Sequence, residues 1–240
     1  SLTYVAMPDL NVYARAARGS RAPQVTDLYS AQQNQVPGEA DVETLDSLEA
    51  GLKYRAHGLT LEAAAFTMWK DNFFFRNANG FNVVNGKTRH SGIEFSFNTA
   101  LTERLSVSGD GTLAKHTYDF DESVGSASNN IIAGNRVDTA PDTLVHMRAR
   151  YDVSDKVMAE VEWRHMGSYF TNPGNTAKYP GHDIFVLRGA YAATEKLTIF
   201  GRVDNLFDAK YADRADFAFG NERYFPGRPR TVFFGIKGTY

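Results

Sequence analysis

The chain has 240 residues, a formal net charge of -2 and no cysteine, and 13% of its residues are aromatic. This near-neutral balance excludes a nucleic acid as the main partner, because phosphate binding needs a clear basic excess. No stretch approaches the roughly 18 uninterrupted apolar residues of a membrane-spanning helix. A mean hydropathy of -0.39 still allows a membrane β-barrel, since such a barrel shows lipid only every second residue.

Alternation of apolar and polar residues with a period of two is the dominant pattern. It is clearest at 156–170, where Val161 and Trp163 alternate with Glu160 and Glu162. A strand with this many charges on one face is not enclosed on both sides by a core. The pattern predicts antiparallel strands at about 10–18, 44–56, 59–76, 86–100, 104–118, 141–153, 156–170, 182–193, 196–206 and 230–240.

The connections between these strands alternate between short and long, which is typical of an outer-membrane barrel with short periplasmic turns and long extracellular loops. The short ones lie near 56–59, 101–103, 154–155 and 194–195, and the long ones span 19–43, 77–85, 119–140, 171–181 and 207–229. We therefore expect Ser154 and Thr194 in the periplasm, and Gly38, Asn79, Ser126, Gly174 and Gly220 at the cell surface.

Aromatic residues cluster near the predicted strand ends on the apolar face, which predicts girdles at the two membrane interfaces. The lower girdle comprises Tyr54, Tyr151, Tyr191 and Tyr240, and the upper one Trp69 and Tyr169. The chain opens on Leu-Thr-Tyr-Val, the pattern of a strand already under way, so we expect it to be part of a longer precursor.

Five motifs occur in an order that points to one family. R-G-S-R-A-P at 18–23 is followed by T-D-L-Y at 26–29, S-L-E-A-G-L-K-Y at 47–54, S-G-I-E-F at 91–95 and V-D-N-L-F-D at 203–208. Together with the aromatic last residue, these motifs resemble the C-terminal half of TonB-dependent outer-membrane receptors, and in particular that of siderophore receptors. The family usually has Phe where this chain has Ser20.

The resemblance implies an all-β fold, with residues 1–240 forming the last ten or so strands of an antiparallel transmembrane β-barrel of about 22 strands. The plug domain and the N-terminal barrel strands are then expected outside this chain. The implied function is energised uptake of a metal chelate, most readily a ferric siderophore, across the bacterial outer membrane. The implied partners are outer-membrane lipid, the plug, TonB through the plug, and the barrel assembly machinery, which reads the C-terminal strand and Tyr240.

The sequence shows no catalytic constellation, and we predict no enzyme activity, cofactor or metal site. The six His residues are scattered, and none pairs with another at metal-ligand spacing in the sequence. A nucleophile elbow and a phosphate-binding loop are also missing. The paired glycines on the outward face of 104–118, Gly109 and Gly111, are expected to permit bending of the sheet.

Two sets of side chains are candidates for binding. Aromatic and cationic residues in the long loops suit an anionic or catecholate-like chelate; they are Arg21, Tyr29, Gln32, Gln33, Arg76, Asn79, Arg136, Tyr179, Arg214, Arg223 and Tyr224. Charged residues on the lumen side are expected to pair with one another or to dock the plug; they are Glu49, Lys53, Glu94, His146, Arg148, Arg150, Glu160, Glu162, Arg164, Arg202 and Asp204.

Three alternatives remain open at this point. A passive porin or an autotransporter translocator would share the alternation and the girdles, but not the ordered motifs. A soluble β-rich binding module would place Tyr at strand ends by chance. A haem receptor of the same family usually carries a His in the loop after R-A-P, and residues 24–56 contain none.

Overall fold

The computed structural model describes residues 1–29, 36–76, 82–123 and 129–238, and the side chain of Arg76 is not described. Within them the chain forms strands and one short helix, and no helix there is long and apolar enough to cross a membrane. In chain order the elements are β1 (Leu2–Met7), β2 (Leu10–Arg21), α1 (Val25–Leu28), β3 (Glu43–Ala56), β4 (Leu59–Arg76), β5 (Asn82–Ala100), β6 (Leu105–Tyr118), β7 (Thr143–Ser154), β8 (Val157–Met166), β9 (Tyr169–Phe170), β10 (Lys178–Tyr179), β11 (His182–Thr194), β12 (Leu197–Asp204), β13 (Ala212–Ala218), β14 (Asn221–Pro226) and β15 (Thr231–Gly238).

Eleven of these strands form one antiparallel sheet in the order β1-β2-β3-β4-β5-β6-β7-β8-β11-β12-β15. Neighbours in the sheet are also neighbours in the chain, apart from the small pairs β9–β10 and β13–β14, which lie outside it. The ten predicted strands are all present, and β1 is the strand whose end the opening residues predicted. In the described residues the sheet is open, with β1 and β15 as its edges.

Two of the sequence expectations need correction. The predicted strand at 156–170 is divided, because β8 ends at Met166 while Tyr169 and Phe170 form β9, which pairs with β10 outside the main sheet. The long connections 171–181 and 207–229 were predicted as loops, yet they contain β10 and the β13–β14 hairpin. Tertiary contacts hold these strands in place, and the alternation of residues along the chain does not indicate such contacts.

The register divides the sheet into two faces of opposite character. One face, which we call the apolar face, carries residues such as Phe95, Val161 and Ile236, while the polar face carries Glu94 and Glu162. Large hydrophobic side chains on the apolar face stay exposed, including Leu48 (51%), Ile93 (53%), Leu113 (49%), Val161 (42%), Phe234 (72%) and Ile236 (63%). A soluble sandwich would bury these residues, whereas a sheet that faces lipid presents them.

The two glycines on the apolar face of β6 make room for rings of the neighbouring strand. Gly109 pairs with Phe97 and Gly111 with Phe95. A Cβ at Gly111 would lie 2.7 Å from Phe95 Cζ, and one at Gly109 would lie 3.0 Å from Phe97 Cε1. The glycines therefore let aromatic rings lie flat across the sheet.

A small core holds the β13–β14 hairpin against β9 and β10. It consists of Tyr169, Tyr179, Ala212 and Ala215, with Met166 packed beside them. Tyr169 Oη accepts a hydrogen bond of 2.8 Å from the backbone N–H of Ala215, which is fully buried. Tyr179 Oη accepts another, of 3.0 Å, from the backbone N–H of Ala212. Two tyrosine hydroxyls thus accept backbone hydrogen bonds that a neighbouring strand would otherwise accept on this side of the hairpin.

Replacement of Phe95 by Arg is expected to impair barrel assembly, while replacement of its neighbour Ser96 by Arg is tolerated. An Arg facing lipid near the bilayer centre costs about 2–4 kcal/mol. Ser96 lies on the polar face opposite Asp110, so an Arg there gains an anionic neighbour. The measurement is the amount of heat-modifiable protein in outer membranes. Equal loss for both variants would contradict the assignment of the faces.

Replacement of Tyr169 by Phe is expected to loosen the hairpin without unfolding the sheet. The change leaves the buried N–H of Ala215 without its acceptor, which costs about 1–3 kcal/mol. Hydrogen exchange of the peptide 212–218 should then quicken by roughly 5- to 100-fold. Replacement of the exposed Tyr224 by Phe is the matched control and should leave this exchange unchanged. Equal rates for the Tyr169 variant and the parent chain would show that the hydroxyl does not hold the hairpin.

Candidate functional site

Four aromatic rings and a lysine line the end of the polar face that the long connections join. The rings of Phe73 and Phe75 stack with their centroids 4.7 Å apart, and Phe120 stands edge-on to Phe75 at 6.3 Å and to Tyr118 at 6.0 Å. Lys70 Nζ lies 4.5 Å from the centroid of Phe73. We call these five residues the aromatic wall. Aromatic faces beside a cation suit a flat, anionic ligand.

Two asparagines with left-handed backbone place these rings on the polar face. Asn72 has φ of 57° and Asn85 has φ of 57°, and the register of β4 with β5 shifts between Lys70 and Phe75. In an uninterrupted strand Phe73 and Phe75 would face away from Lys70, because side chains alternate. The irregularity adds a residue and reverses the alternation. Both asparagine side chains also bond the segment before β3, through Val42 O at 3.2 Å and Glu39 O at 3.4 Å.

Carboxylates fix the cations at the edge of the aromatic wall. Glu43 Oε1 lies 3.0 Å from Lys70 Nζ, and its other oxygen lies 3.1 Å from Arg21 Nη2. Arg21 also lies 3.3 Å from Asp27, which caps the short helix α1 by accepting the backbone N–H of Gln24. Arg21, a predicted ligand residue, therefore ties β2, α1 and β3 together.

The loop after β6 contacts the aromatic wall through the half-buried carboxyl of Asp138. Asp138 accepts a short hydrogen bond from Tyr118 Oη, and burial raises the pKa of the Asp138 carboxyl. Arg136, a predicted ligand residue, pairs with Asp142 at 2.8 Å, and its backbone N–H donates to Asn175 Oδ1 at 2.8 Å. These contacts join two long connections into one surface.

Two histidines meet below the aromatic wall, a feature that the sequence spacing did not predict. His90 on β5 and His116 on β6 are cross-strand partners on the polar face, and their Nδ1 atoms lie 2.8 Å apart. The spacing of the histidines in the sequence did not reveal this contact, since residues 26 apart in sequence can meet across a hairpin. Among the described residues no group of three or more His, Cys, Asp or Glu side chains could hold a metal ion.

The β13–β14 hairpin brings together three of the predicted ligand residues. Asp216 is buried, and Arg223 binds it with both ends of its guanidinium at 2.7 and 3.0 Å. Arg214 pairs with the same carboxylate, and the side chains of Arg214 and Arg223 remain 62% and 41% exposed. Tyr224 is exposed and donates to Glu222 at 2.8 Å, a hydrogen bond that raises the pKa of the tyrosine hydroxyl.

The remaining predicted ligand residues do not join these groups. Tyr29 lies after α1 and is 64% exposed. Tyr179 is buried in the core under the hairpin, with its hydroxyl 2.9 Å from His182 Nδ1, so it does not lie on the exposed surface of the loops. Gln32, Gln33, Asn79 and the assembly residue Tyr240 lie outside the described residues, as does the side chain of Arg76.

Charges on the polar face pair both between neighbouring strands and along single strands. Glu162 is fully buried and is contacted by His146 at 2.9 Å, by Arg148 at 3.8 Å, and by Arg164 and Arg188 at shorter range. Arg188, which the sequence argument missed, also binds Glu160 at 2.8 Å.

The other predicted lumen residues lie on the same face. Glu94 lies there opposite Ala64 and Thr112, and the contacts of the rest are Lys53–Glu62 at 3.2 Å, Arg150–Asp152 at 3.0 Å, Arg202–Asp204 at 3.0 Å and Tyr13–Glu49 at 2.7 Å. Docking of these residues to a plug stays a prediction.

Comparison with known proteins extends these observations. The chain is 24% identical over 247 aligned positions to the metal-pseudopaline receptor CntO of Pseudomonas aeruginosa, covering 99% of the chain and 32% of that protein. Its fold is similar to the ferric yersiniabactin uptake receptor FyuA of Yersinia pestis, with a TM-score of 0.81, 18% identity, and coverage of 98% of the chain and 36% of FyuA. It is also similar to the ferric-catecholate import receptor Fiu of Escherichia coli K12, with a TM-score of 0.78, 22% identity, and coverage of 98% and 34%.

The chain therefore spans about a third of the length of the relatives it matches. The two structural similarities show a shared fold at low identity. The profile of the family described as TonB dependent receptor-like, beta-barrel matches residues 1–206, which is most of the chain. Together with a sheet that has one exposed apolar face and one charged face, this match shows that the chain belongs to the β-barrel family of TonB-dependent receptors of the bacterial outer membrane.

Proposed function

We propose that this chain forms part of the wall of an outer-membrane receptor for energised uptake of a metal chelate, with a ferric siderophore as the favoured cargo. The observation that carries the proposal is the aromatic wall beside Lys70 at one end of a charged face whose reverse side suits lipid. The names of relatives support the same class, since they are receptors for metal-pseudopaline, ferric yersiniabactin and ferric catecholate.

The chemistry of the aromatic wall favours an anionic, aromatic chelate. The stacked rings of Phe73 and Phe75 offer apolar area, and Lys70 offers a positive charge held in place by Glu43. Arg214 and Arg223 share the buried Asp216, yet each guanidinium has five N–H donors and keeps some of them free for a ligand oxygen. Capture would use binding and release, with no covalent step.

The charged part of the polar face is the surface that we propose to seat a plug domain. Its acids are already paired, as Glu162 is, while Arg148 and Arg164 remain 48% and 57% exposed. Such arginines can donate to carboxylates or carbonyls of a docked domain. TonB would act through that domain, and the barrel assembly machinery would act on the C-terminal strand.

The open edges β1 and β15 fit the same proposal. An unpaired backbone group in hydrocarbon costs several kcal/mol, so strand edges cannot face lipid. We propose that further strands of the same barrel pair with both edges. This proposal agrees with the coverage, because the chain spans only about a third of the relatives' length.

The test of this function is uptake of radiolabelled iron by a receptor-deleted strain that expresses the complete gene product. We expect one class among catecholate, phenolate, hydroxamate and citrate chelates to accumulate, and this uptake to vanish in a strain that lacks TonB. Equal uptake with and without TonB would indicate a passive pore, and uptake of none of the four classes would contradict the proposal.

Replacement of Lys70 by Ala is expected to raise the chelate concentration for half-maximal uptake roughly tenfold or more, because a hydrogen bond to a charged group contributes about 1.5–3 kcal/mol. Lys87 is the matched control, since it is exposed and lies next to Thr88 in β5. Its replacement by Ala should leave uptake unchanged. If both variants behave like the parent chain, Lys70 does not contact the cargo.

The orientation of the sheet can be tested by single cysteines, because the chain has none of its own. Asn221→Cys lies at the exposed start of β14 next to Gly220, and Ser154→Cys lies at the exposed end of β7 next to a short turn at the opposite end of the sheet. We expect an impermeant thiol reagent to label the first in intact cells and the second only after the outer membrane is opened. Labelling of Ser154→Cys alone in intact cells would reverse the orientation.

A further inference from the structure

We propose that Arg89 and Lys115 bind the phosphate of a lipid headgroup in the outer leaflet of the membrane. Both residues lie on the apolar face, so the site is separate from the aromatic wall and from the charged polar face. The proposal goes beyond chelate uptake and depends on no property of the cargo. It rests on the orientation of the sheet, which the single-cysteine labelling tests separately.

The register places the two cations beside each other on the lipid-facing side. Arg89 on β5 is opposite Thr117 on β6. The next outward position of β5, Ser91, is opposite Lys115, so Arg89 and Lys115 are diagonal neighbours. Diagonal neighbours lie about 7–8 Å apart, which is within reach of long side chains. Both side chains are exposed, and their two charges can therefore meet on one phosphate group.

Apolar side chains follow directly below the two cations. Ile93 and Leu113 are the next cross-strand pair on this face, and they are 53% and 49% exposed. A headgroup phosphate with an acyl chain beneath it matches this order of cation and hydrocarbon. A free phosphate would leave both apolar side chains uncovered. The arrangement therefore favours a lipid over a free anion.

The height of the two cations agrees with the level of the headgroups. Ala100, at the short-turn end of β5, lies 11 positions from Arg89, and Leu105, at the short-turn end of β6, lies 10 positions from Lys115. A rise of about 3.3 Å per residue and a tilt of about 45° place the cations roughly 26 and 23 Å above these ends. The apolar band of such barrels is about 25 Å tall, and a lipid-facing cation is tolerated at its boundary but not at its centre.

A tryptophan ring orients the guanidinium of Arg89. Arg89 Cζ lies 5.6 Å from the ring centroid of Trp69, its cross-strand partner on β4. A guanidinium that stacks on a ring keeps N–H donors at its edge, and its planar fork matches two oxygens of a phosphate. Lys115 adds a compact positive charge beside that fork.

The third cation of this row is already neutralised. Arg18 donates to both carboxylate oxygens of Asp46 at 2.6 Å, so neither of these groups competes for the phosphate or repels it strongly. Within the described part of the chain, no ion pair joins a carboxylate to Arg89 or Lys115. These two cations are therefore the ones that a lipid phosphate can neutralise.

The test is native mass spectrometry of the complete gene product in detergent, titrated with lipid A that carries two phosphates, with lipid A from which both phosphates have been removed, and with inorganic phosphate. We expect the phosphorylated lipid to bind roughly tenfold or more tightly than the other two, because hydrogen bonds to charged groups are the strong ones. Equal binding of the two lipids shows that acyl contacts alone hold the lipid, and overturns the proposal. Inorganic phosphate that binds as tightly as the phosphorylated lipid also overturns it.

Variants assign the binding to the two cations. Arg89→Gln and Lys115→Gln should each lower the affinity for phosphorylated lipid A roughly tenfold or more, and the double variant should lose one bound lipid. Lys196→Gln is the matched control and should bind as the parent protein does, because Lys196 is an exposed cation at the short-turn end of the sheet. Binding by the double variant that equals binding by the parent, in protein that keeps its heat-modifiable form, overturns the proposal. The comparison of the two lipids uses the parent protein, so it decides even if a variant fails to assemble.

Discussion

Register is the constraint on which the rest of this structure depends. Because side chains alternate along a strand, a shift of one residue between neighbouring strands would exchange the two faces of the sheet. On β7 and β8 the partners Ala149 and Val161 face outward, while the next pair, Arg148 and Glu162, faces inward. Exchange of these faces would place charges in lipid at about 2–4 kcal/mol for each Arg near the bilayer centre. The ion pairs, the glycines under the aromatic rings and the aromatic wall all require this one alignment.

The same constraint explains which parts of the fold the sequence could predict. Strands such as β8 show clear alternation because one face is wet and the other is apolar, and their approximate positions were predicted correctly. The β13–β14 hairpin was not predicted, because its order comes from Tyr169 and Ala215, which are 46 residues apart and carry no periodic signal. The pairing of His90 with His116 was missed for a related reason. It depends on a continuous run of cross-strand partners between β5 and β6, and an error of one residue in the register would separate the two rings.

Glu162 shows how the polar face accommodates charge. A fully buried carboxylate is unfavourable unless cations and hydrogen bonds surround it, and here His146, Arg164 and Arg188 do so from three strands. The sequence identified Glu162 and Arg164 as inward-facing residues. It could not identify Arg188 as their partner, since β8 and β11 are joined by the 15 residues between Met166 and His182. Because the acid already has cationic neighbours, Arg148 and Arg164 keep donors exposed on this face, and a domain that docks there would be recognised through its acceptors.

The candidate binding surface lies where the regular sheet is interrupted. Up to Lys70 the partners of β4 and β5 follow strict alternation, and continuation of that pattern would turn Phe73 and Phe75 toward the lipid side. The left-handed conformations of Asn72 and Asn85 reverse the alternation and turn both rings toward the polar face. Asparagine tolerates this conformation better than most residues, and its amide gains a backbone partner in the segment before β3. An irregularity that would be costly in the middle of a lipid-facing sheet thus lies at its end, where it turns aromatic rings toward the surface that we propose to meet the ligand.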